Sequence, residues 1–138
     1  MKYLLDTNIC IYLIKQQPPR VMDAFRSHAI GEIGVSSITV SELWYGVAKS
    51  THRQANAQAL EQFLLPLIVS PFDGRAGEAY GEIRATLEKQ GQPIGAMDLL
   101  IAAHAISLGV RLVTNNEREF ARVPDLIVEN WAQAADRP

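Results

Sequence analysis

Four acidic residues and one amide have the types and positions from which a metal-dependent hydrolase can be built. They are Asp6, Glu42, Asp98, Glu119 and Asn116. Carboxylates a few ångströms apart raise each other's pKa unless a cation neutralises them, and an all-oxygen ligand set selects Mg²⁺ or Mn²⁺ rather than zinc. Because a metal-bound water loses its proton more readily, it can attack a phosphorus atom. If these side chains meet, they predict metal-dependent hydrolysis of a phosphodiester.

The surroundings of Asp98 make it the most informative of the four acids. Residues 99–103 read Leu-Leu-Ile-Ala-Ala, so the helix that starts near Asp98 is predicted to be buried. A carboxylate taken into such surroundings is costly without a partner. A metal ion is the simplest partner.

Each acid also has a purely structural explanation. Glu42 follows Thr39 by three residues, which fits a capping box in which the glutamate only reaches back to the start of its helix. Asp6 can cap the helix after it, and Asp98 in a first helical turn is stabilised by the helix dipole. Only the convergence of the acids in space would distinguish a catalytic site.

The elements that must position these residues alternate between strand and helix. Short apolar runs predict strands at 3–5, 33–35, 67–69, 110–113 and 126–128. Helical periodicity predicts helices after residue 6, at 19–29, from 39, from 51, at 73–90 and at 96–108, and a short helical turn at 115–120. This order favours an α/β fold with a mainly parallel central sheet of four to five strands, flanked by helices on both faces. Ligands of such sheets bind at the carboxyl ends of the strands, where Asp6 and Thr114 lie.

The composition is that of a globular protein. The chain has 138 residues, 48% of them hydrophobic, which fits a single domain over 1–138 and excludes a disordered chain; residues 134–138 are predicted to form a flexible tail. A net charge of −2 gives no overall signal for nucleic acid, so any RNA would be held by a local patch or a metal. The single cysteine and the lack of a long apolar run predict a cytoplasmic protein with no signal peptide and no membrane segment.

Four motifs in a fixed order resemble the PIN-domain ribonucleases and, within them, the VapC-type toxins of bacterial toxin–antitoxin pairs. The motifs are Tyr-Leu-Leu-Asp-Thr-Asn at 3–8, Ser-Glu-Leu-Trp-Tyr-Gly at 41–46, the segment 93–105 around Asp98, and Leu-Val-Thr-Asn-Asn through Glu-Phe at 112–120. Each motif is weak alone. Together they span the chain and imply a PIN-domain-like fold.

The resemblance also implies roles for individual residues. Asp6, Glu42 and Asp98 match metal-coordinating acids, with Mg²⁺ as the cofactor and Mn²⁺ as a substitute, and Glu119 matches a further acidic position. Asn116 stands where many PIN domains have Asp, although an amide oxygen can still bind Mg²⁺ or one of its waters. Four further residues are predicted to contact the substrate: Thr7, Asn8, Arg84 and Thr114.

A narrower resemblance concerns the substrate and the partners. Asn115-Asn116 with 118–120, together with the segments 83–85 and 93–95, is similar to the VapC subgroup that cleaves initiator tRNA in its anticodon stem-loop. This implies an Mg²⁺-dependent endoribonuclease that inhibits translation as the toxin of a type II toxin–antitoxin system. It further implies a VapB-type antitoxin, a homodimer, a larger hetero-oligomer with the antitoxin, and contact with operator DNA only through the antitoxin.

Two alternatives stay open at this point. One is a non-catalytic interaction protein with a PIN fold whose metal site has degenerated at Asn116. The other is a phosphotransfer or phosphatase domain with Asp6 as its nucleophile, although haloacid-dehalogenase-like enzymes would have Asp where Asn8 stands. Two other features have structural interpretations: His104 is predicted to be a hydrogen-bonded packing residue, and Trp44 and Tyr45 to pack in the core or against a partner.

Overall fold

The computed structural model describes residues 1–133, so the predicted tail at 134–138 lies outside the described residues. In chain order the elements are β1 (Tyr3–Leu5), α1 (Thr7–Lys15), α2 (Pro19–Arg26), β2 (Ile33–Ser36), α3 (Ser37–Ala48), α4 (Arg53–Leu64), β3 (Ile68–Ser70), α5 (Gly74–Lys89), α6 (Ala96–Leu108), β4 (Arg111–Val113), α7 (Glu117–Phe120) and β5 (Val128–Glu129).

The strands of the described residues form one sheet in the order β3-β2-β1-β4-β5, and every pairing is parallel. Leu4 in the central strand pairs with Gly34 on one side and Leu112 on the other. The predicted α/β class and parallel sheet are therefore confirmed, with five strands. Since the strands all point one way, the residues that follow β1 and β4 meet at one edge of the sheet.

Alternate residues of the central strands face two separate hydrophobic cores. Leu4 and Leu112 pack with the helices α5 and α6 on one face. Leu5 and Val113 pack with apolar residues of α1, α2, α3 and α4 on the other. This period of two is the expected geometry of a strand buried on both sides, and it confirms that helices cover both faces.

The start of α3 corrects one structural alternative. The helix begins at Ser37, and its N-cap is Ser36, whose Oγ accepts a hydrogen bond from the backbone N–H of Ile38 at 3.0 Å. Thr39 is therefore already inside the helix, and Glu42 lies in its second turn. The capping-box interpretation of Glu42 is wrong, because the predicted cap position lies three residues after the observed N-cap.

Several element boundaries also differ from the sequence prediction, and those of α2 and β5 are examples. Helix α2 ends at Arg26 instead of 29, because the Ser27 hydroxyl and backbone N–H both donate to the Ala24 carbonyl and close the last turn. Strand β5 begins at Val128 instead of 126, after a turn in which Asp125 has a φ of 68°. Over residues 1–133, no helix is long and apolar enough to cross a membrane.

Candidate active site

Asp6 is the buried centre of a cluster of acids at the carboxyl edge of the sheet. It directly follows β1 and caps α1, and its Oδ1 accepts a hydrogen bond from the backbone N–H of Thr7 at 2.8 Å. Its Oδ2 accepts a hydrogen bond from the hydroxyl of Thr114, just after β4, at 2.7 Å. Both Asp6 and Thr114 are buried, so this pair fixes the carboxylate relative to two adjacent strands.

Glu42 reaches the cluster from the second turn of α3. Its Oε1 accepts a hydrogen bond from the hydroxyl of Thr7 at 2.6 Å. Thr7 therefore holds two acids at once, because its backbone N–H donates to Asp6 and its hydroxyl to Glu42. Glu42 is therefore hydrogen-bonded to a residue at the edge of the sheet and not to the N-terminus of its own helix.

Asp98 and Glu119 form the other side of the cluster. Asp98 is half-buried in the first turn of α6, and its side chain is hydrogen-bonded to that of Glu119 from α7. The Glu119 Oε1 also accepts a hydrogen bond from the backbone N–H of Gly95 at 2.8 Å. A Cβ at Gly95 would lie 3.4 Å from that oxygen and 3.7 Å from Asp98 Oδ2, in ordinary van der Waals contact, so the backbone of Gly95 lies directly against both acids.

The pKa shifts of Asp98 and Asp6 show that the four acids interact electrostatically. Burial, hydrogen bonding to Glu119 and the charges of Asp6, Glu119 and Glu42 raise the pKa of Asp98 to about 7. Burial also raises the pKa of Asp6, with smaller contributions from Glu42 and Glu119, against the hydrogen bonds from Thr114 and Thr7. The backbone N–H of Gly95 lowers the pKa of Glu119. The hydrogen bond between Asp98 and Glu119 contributes to raising the pKa of Asp98 and to lowering that of Glu119.

The donor set fits a hard divalent cation, but its side chains are hydrogen-bonded to neighbours. Among residues 1–133, no three Asp, Glu, His or Cys side chains already stand close enough together to hold one ion. The carboxylates instead contact other groups: Thr7 and Thr114 engage Asp6, Thr7 engages Glu42, and Asp98 and Glu119 share a hydrogen bond, which requires a proton on one of them. Loss of that proton and small rotations of the carboxylates would expose oxygen ligands alone, the set that Mg²⁺ and Mn²⁺ prefer.

Asn116 lies beside Glu119 rather than facing away. Its side chain is hydrogen-bonded to Glu119, and its backbone N–H donates to the Thr114 hydroxyl at 3.0 Å. The amide therefore borders the acidic cluster at the position predicted from the sequence.

The four predicted substrate contacts have different placements. Asn8 is exposed on the first turn of α1. Thr7 and Thr114 already donate to Glu42 and Asp6, so the structure gives them the role of orienting carboxylates. Arg84 is exposed on α5, outside the hydrogen bonds of the cluster.

Sequence reasoning missed the contribution of Gly95, whose backbone N–H holds Glu119. A backbone donor leaves no side-chain signal, and the glycine alone predicts only a turn or a close approach. The interpretation of His104 is confirmed: it is buried, with Nδ1 2.7 Å from Ser36 Oγ and Nε2 3.2 Å from Ser70 Oγ. It joins α6 to the ends of β2 and β3 and takes no part in the acidic cluster.

Comparison with known proteins identifies the family. A family model described as PIN domain matches residues 3–126. Ribonuclease VapC2 of Haemophilus influenzae is 47% identical over 131 residues, which cover 95% of this chain and 98% of the relative. The tRNA(fMet)-specific endonuclease VapC of Shigella flexneri is 43% identical over 132 residues, covering 96% of this chain and 99% of the relative.

A solved structure agrees with the family model and with these two relatives. A chain of DNA-bound VapBC from Salmonella typhimurium superposes with a TM-score of 0.91 at 41% identity, covering 95% of this chain and 98% of that one. The family resemblance of the four motifs is thereby confirmed, and the phosphotransfer alternative is excluded. The chain belongs to the PIN domain family and, within it, to the VapC ribonucleases.

Proposed function

We propose that this chain is an Mg²⁺-dependent endoribonuclease that cleaves initiator tRNA in its anticodon stem-loop, and that Mn²⁺ can replace Mg²⁺. The observation that carries the metal dependence is the convergence of Asp6, Glu42, Asp98 and Glu119 at a partly buried position; burial, together with the contacts and charges of the other acids, raises the pKa of Asp98 to about 7. Such a set of carboxylates is poised to exchange a proton for a cation near neutral pH.

Asp6, Asp98, Glu42 and Glu119 would hold the ion, and Asn116 would bind it or one of its waters. When bound, the ion supplies a water of lowered pKa and a positive charge opposite the phosphate oxygens. The residues themselves provide the geometry. Thr114 and Thr7 hold the carboxylates of Asp6 and Glu42 in fixed directions, and Gly95 holds Glu119. The RNA phosphate would approach from the exposed side, where Asp98 and Glu119 are only partly covered.

The substrate proposal follows from sequence similarity. The relative from Shigella flexneri, and another from Salmonella typhimurium that is 41% identical over 131 residues, are both named tRNA(fMet)-specific endonuclease VapC. The motifs of this chain at 83–85, 93–95 and 115–120 resemble that subgroup. A tRNA substrate and a single buried cysteine fit an enzyme of the cytoplasm.

The same relatives support an antitoxin partner. Solved structures that resemble this chain include VapBC2 from Rickettsia felis, bound to a DNA fragment from its promoter, at 45% sequence identity and a TM-score of 0.89. We infer that this chain is a type II toxin that pairs with a VapB-type antitoxin, dimerises, assembles further with the antitoxin and reaches operator DNA only through it.

The antitoxin has an apolar surface to occupy beside the acids. A groove of about 250 Å³ between α1, α3 and α4 is lined by Ile11, Leu43, Val47 and Leu60, with Glu42 at its wall. An Arg of the partner that reached from this groove would pair with the carboxylates. Trp44 and Tyr45, which were predicted to pack in the core or against a partner, are exposed and do not line the groove, so core packing is excluded for them.

The test is a cleavage assay with purified protein on initiator tRNA and on an elongator tRNA. We expect a single cut in the anticodon stem-loop of the initiator, dependent on Mg²⁺, restored by Mn²⁺ and abolished by EDTA. Equal cutting of both tRNAs would overturn the specificity. Cleavage unaffected by EDTA would overturn the metal dependence, and no cleavage of any RNA would favour the non-catalytic alternative.

A further inference from the structure

A second concave site lies next to the acidic cluster and is separate from it. It is a cavity of about 200 Å³ between α5 and the segment 93–96. Tyr80, Leu87 and Ile94 give it an apolar lining, and Arg84 and Glu88 lie at its polar side. Sites for drug-sized ligands occupy roughly 300–1,000 Å³, so this cavity suits a smaller planar group.

The cavity and the acidic cluster share one segment of backbone. Ile94 lines the cavity, while the next residue, Gly95, donates its N–H to Glu119 in the cluster. Adjacent Cα atoms are about 3.8 Å apart, so the two sites are neighbours along the surface. In a nucleotide, a single sugar separates the base from its phosphate. A phosphate at the acids therefore places an adjoining base near the cavity.

The guanidinium of Arg84 is held in place before any ligand arrives. Its Nε donates to Glu88 Oε2 at 3.0 Å, its Nη1 donates to the Tyr80 hydroxyl at 2.9 Å, and its Cζ lies 6.0 Å from the centre of the Tyr80 ring. A guanidinium has five N–H donors and no acceptor. Two donors are used, so the remaining ones are available to a ligand.

This arrangement selects a base with two acceptors on one edge. Guanine presents O6 and N7 side by side, which an arginine contacts with two parallel hydrogen bonds, whereas adenine places its N6 donor beside N7. The Tyr80 ring and the apolar lining can contact the face of a single-stranded base.

We propose that this cavity is a specificity subsite for a guanine adjoining the cleaved phosphodiester, read by Arg84 through O6 and N7. The proposal rests on the ribonuclease function above. Arg84 is then a specificity-determining residue, and Tyr80 and Glu88 position its guanidinium.

The experiment measures RNA binding independently of cleavage. The protein carries Asp98→Asn, which we expect to prevent cutting, and the probe is a fluorescent anticodon stem-loop of initiator tRNA in buffer with Mg²⁺. Each guanine is replaced in turn by 7-deazaguanine, which lacks only the N7 acceptor. We expect one position at which this replacement weakens binding by about tenfold, the scale of a lost specific base contact.

The decisive comparison adds Arg84→Lys, which keeps the charge but not the planar donors. In Arg84→Lys, replacing the guanine at that position by 7-deazaguanine should no longer weaken binding, because the arginine contact to N7 is already absent. Lys89→Ala, a charge removed from the same helix outside the cavity, should leave the sensitivity intact. Circular dichroism confirms that both variants are folded.

A sensitivity that persists in Arg84→Lys, or RNA binding with no sensitive guanine, would overturn the subsite. Cleavage by the unsubstituted protein is recorded separately with the same stem-loops. If the RNA is cut but no guanine replacement weakens binding, only the subsite proposal is overturned. If one replacement weakens binding but the RNA is not cut, only the proposed catalysis is overturned.

Discussion

Thr114 donates its hydroxyl to Asp6 at 2.7 Å although the two residues are 108 positions apart. Both side chains are buried, and each directly follows one of two adjacent parallel strands. The parallel topology thus places a donor against the acid at the centre of the cluster. The hydrogen bond also opposes the rise in the pKa of Asp6 that burial causes, so it favours the charged carboxylate.

Replacing Thr114 by Val tests this pair with little change of shape. The variant leaves Asp6 Oδ2 without its buried donor and the Asn116 N–H without its acceptor, which should cost about 1–3 kcal/mol of unfolding free energy. The rate of RNA cleavage should fall by about tenfold or more, because the carboxylate loses its direction and its charge becomes less favourable. Thr114→Ser keeps the hydroxyl and should restore most activity. A fully active Val variant would show that the hydrogen bond has no catalytic role.

The pKa of Asp98 predicts how stability changes with pH without divalent metal. Its folded pKa of about 7 lies above the ordinary aspartate pKa of 3.8, so the folded state holds a proton that the unfolded state releases between these values. Stability from this group is therefore present below about pH 4 and is lost as pH rises towards 7. Asp98→Asn should remove that slope and raise stability at pH 8 by about 1 kcal/mol, discounted because the carboxylate is partly solvent-screened.

Thermal unfolding in EDTA from pH 4 to pH 8 measures this effect. Asp23→Asn removes an exposed acid from α2 and should leave the slope unchanged. A lower stability of Asp98→Asn at pH 8 would mean that the favourable interaction of the Asp98 carboxylate with the helix dipole outweighs its repulsion by the other acids.

Glu42→Gln separates the charge of Glu42 from its hydrogen bond. Glutamine keeps an oxygen that can accept from Thr7, so the unfolding free energy should change by less than about 0.5 kcal/mol. Cleavage should fall at least a hundredfold, because the negative charge is lost from the proposed ion site. Denaturant unfolding and cleavage rates of the same preparations check both expectations. An active but unstable Gln variant would assign Glu42 a structural role.

The groove beside Glu42 predicts how the antitoxin inhibits. We expect its segment to cover Leu43 and Val47 and to place an Arg, or less favourably a Lys, against the acidic cluster. Val47→Asp, at a groove position that is only partly buried in the free protein, should then weaken the complex. A structure of the complex with no antitoxin side chain within hydrogen-bond distance of Asp6, Glu42, Asp98 or Glu119 would rule out this mode of inhibition.

The sequence predicted the sheet well and placed the acids at the element ends where the structure has them, because both depend on local patterns. The apolar run before Asp6 ends at the strand end, and helix α6 begins and ends where the apolar pattern and Gly109 place it. The partners of the acids were not predictable. Contacts such as Thr7 with Glu42 and Gly95 with Glu119 join distant elements, and their geometry depends on how helices pack on the sheet. The same limit explains the wrong cap at Thr39, since Ser36 and Thr39 have similar capping propensities.

The most direct test is the initial rate of initiator-tRNA cleavage as a function of Mg²⁺ concentration, for the unsubstituted protein and for Asp6→Asn. Asparagine keeps the shape and removes the buried charge of the cluster. We predict a saturable, Mg²⁺-dependent rate for the unsubstituted protein and a rate at least a hundredfold lower for folded Asp6→Asn at every concentration. Equal rates in the two proteins, or a rate independent of Mg²⁺, would contradict the assignment of these carboxylates as the metal site of a ribonuclease.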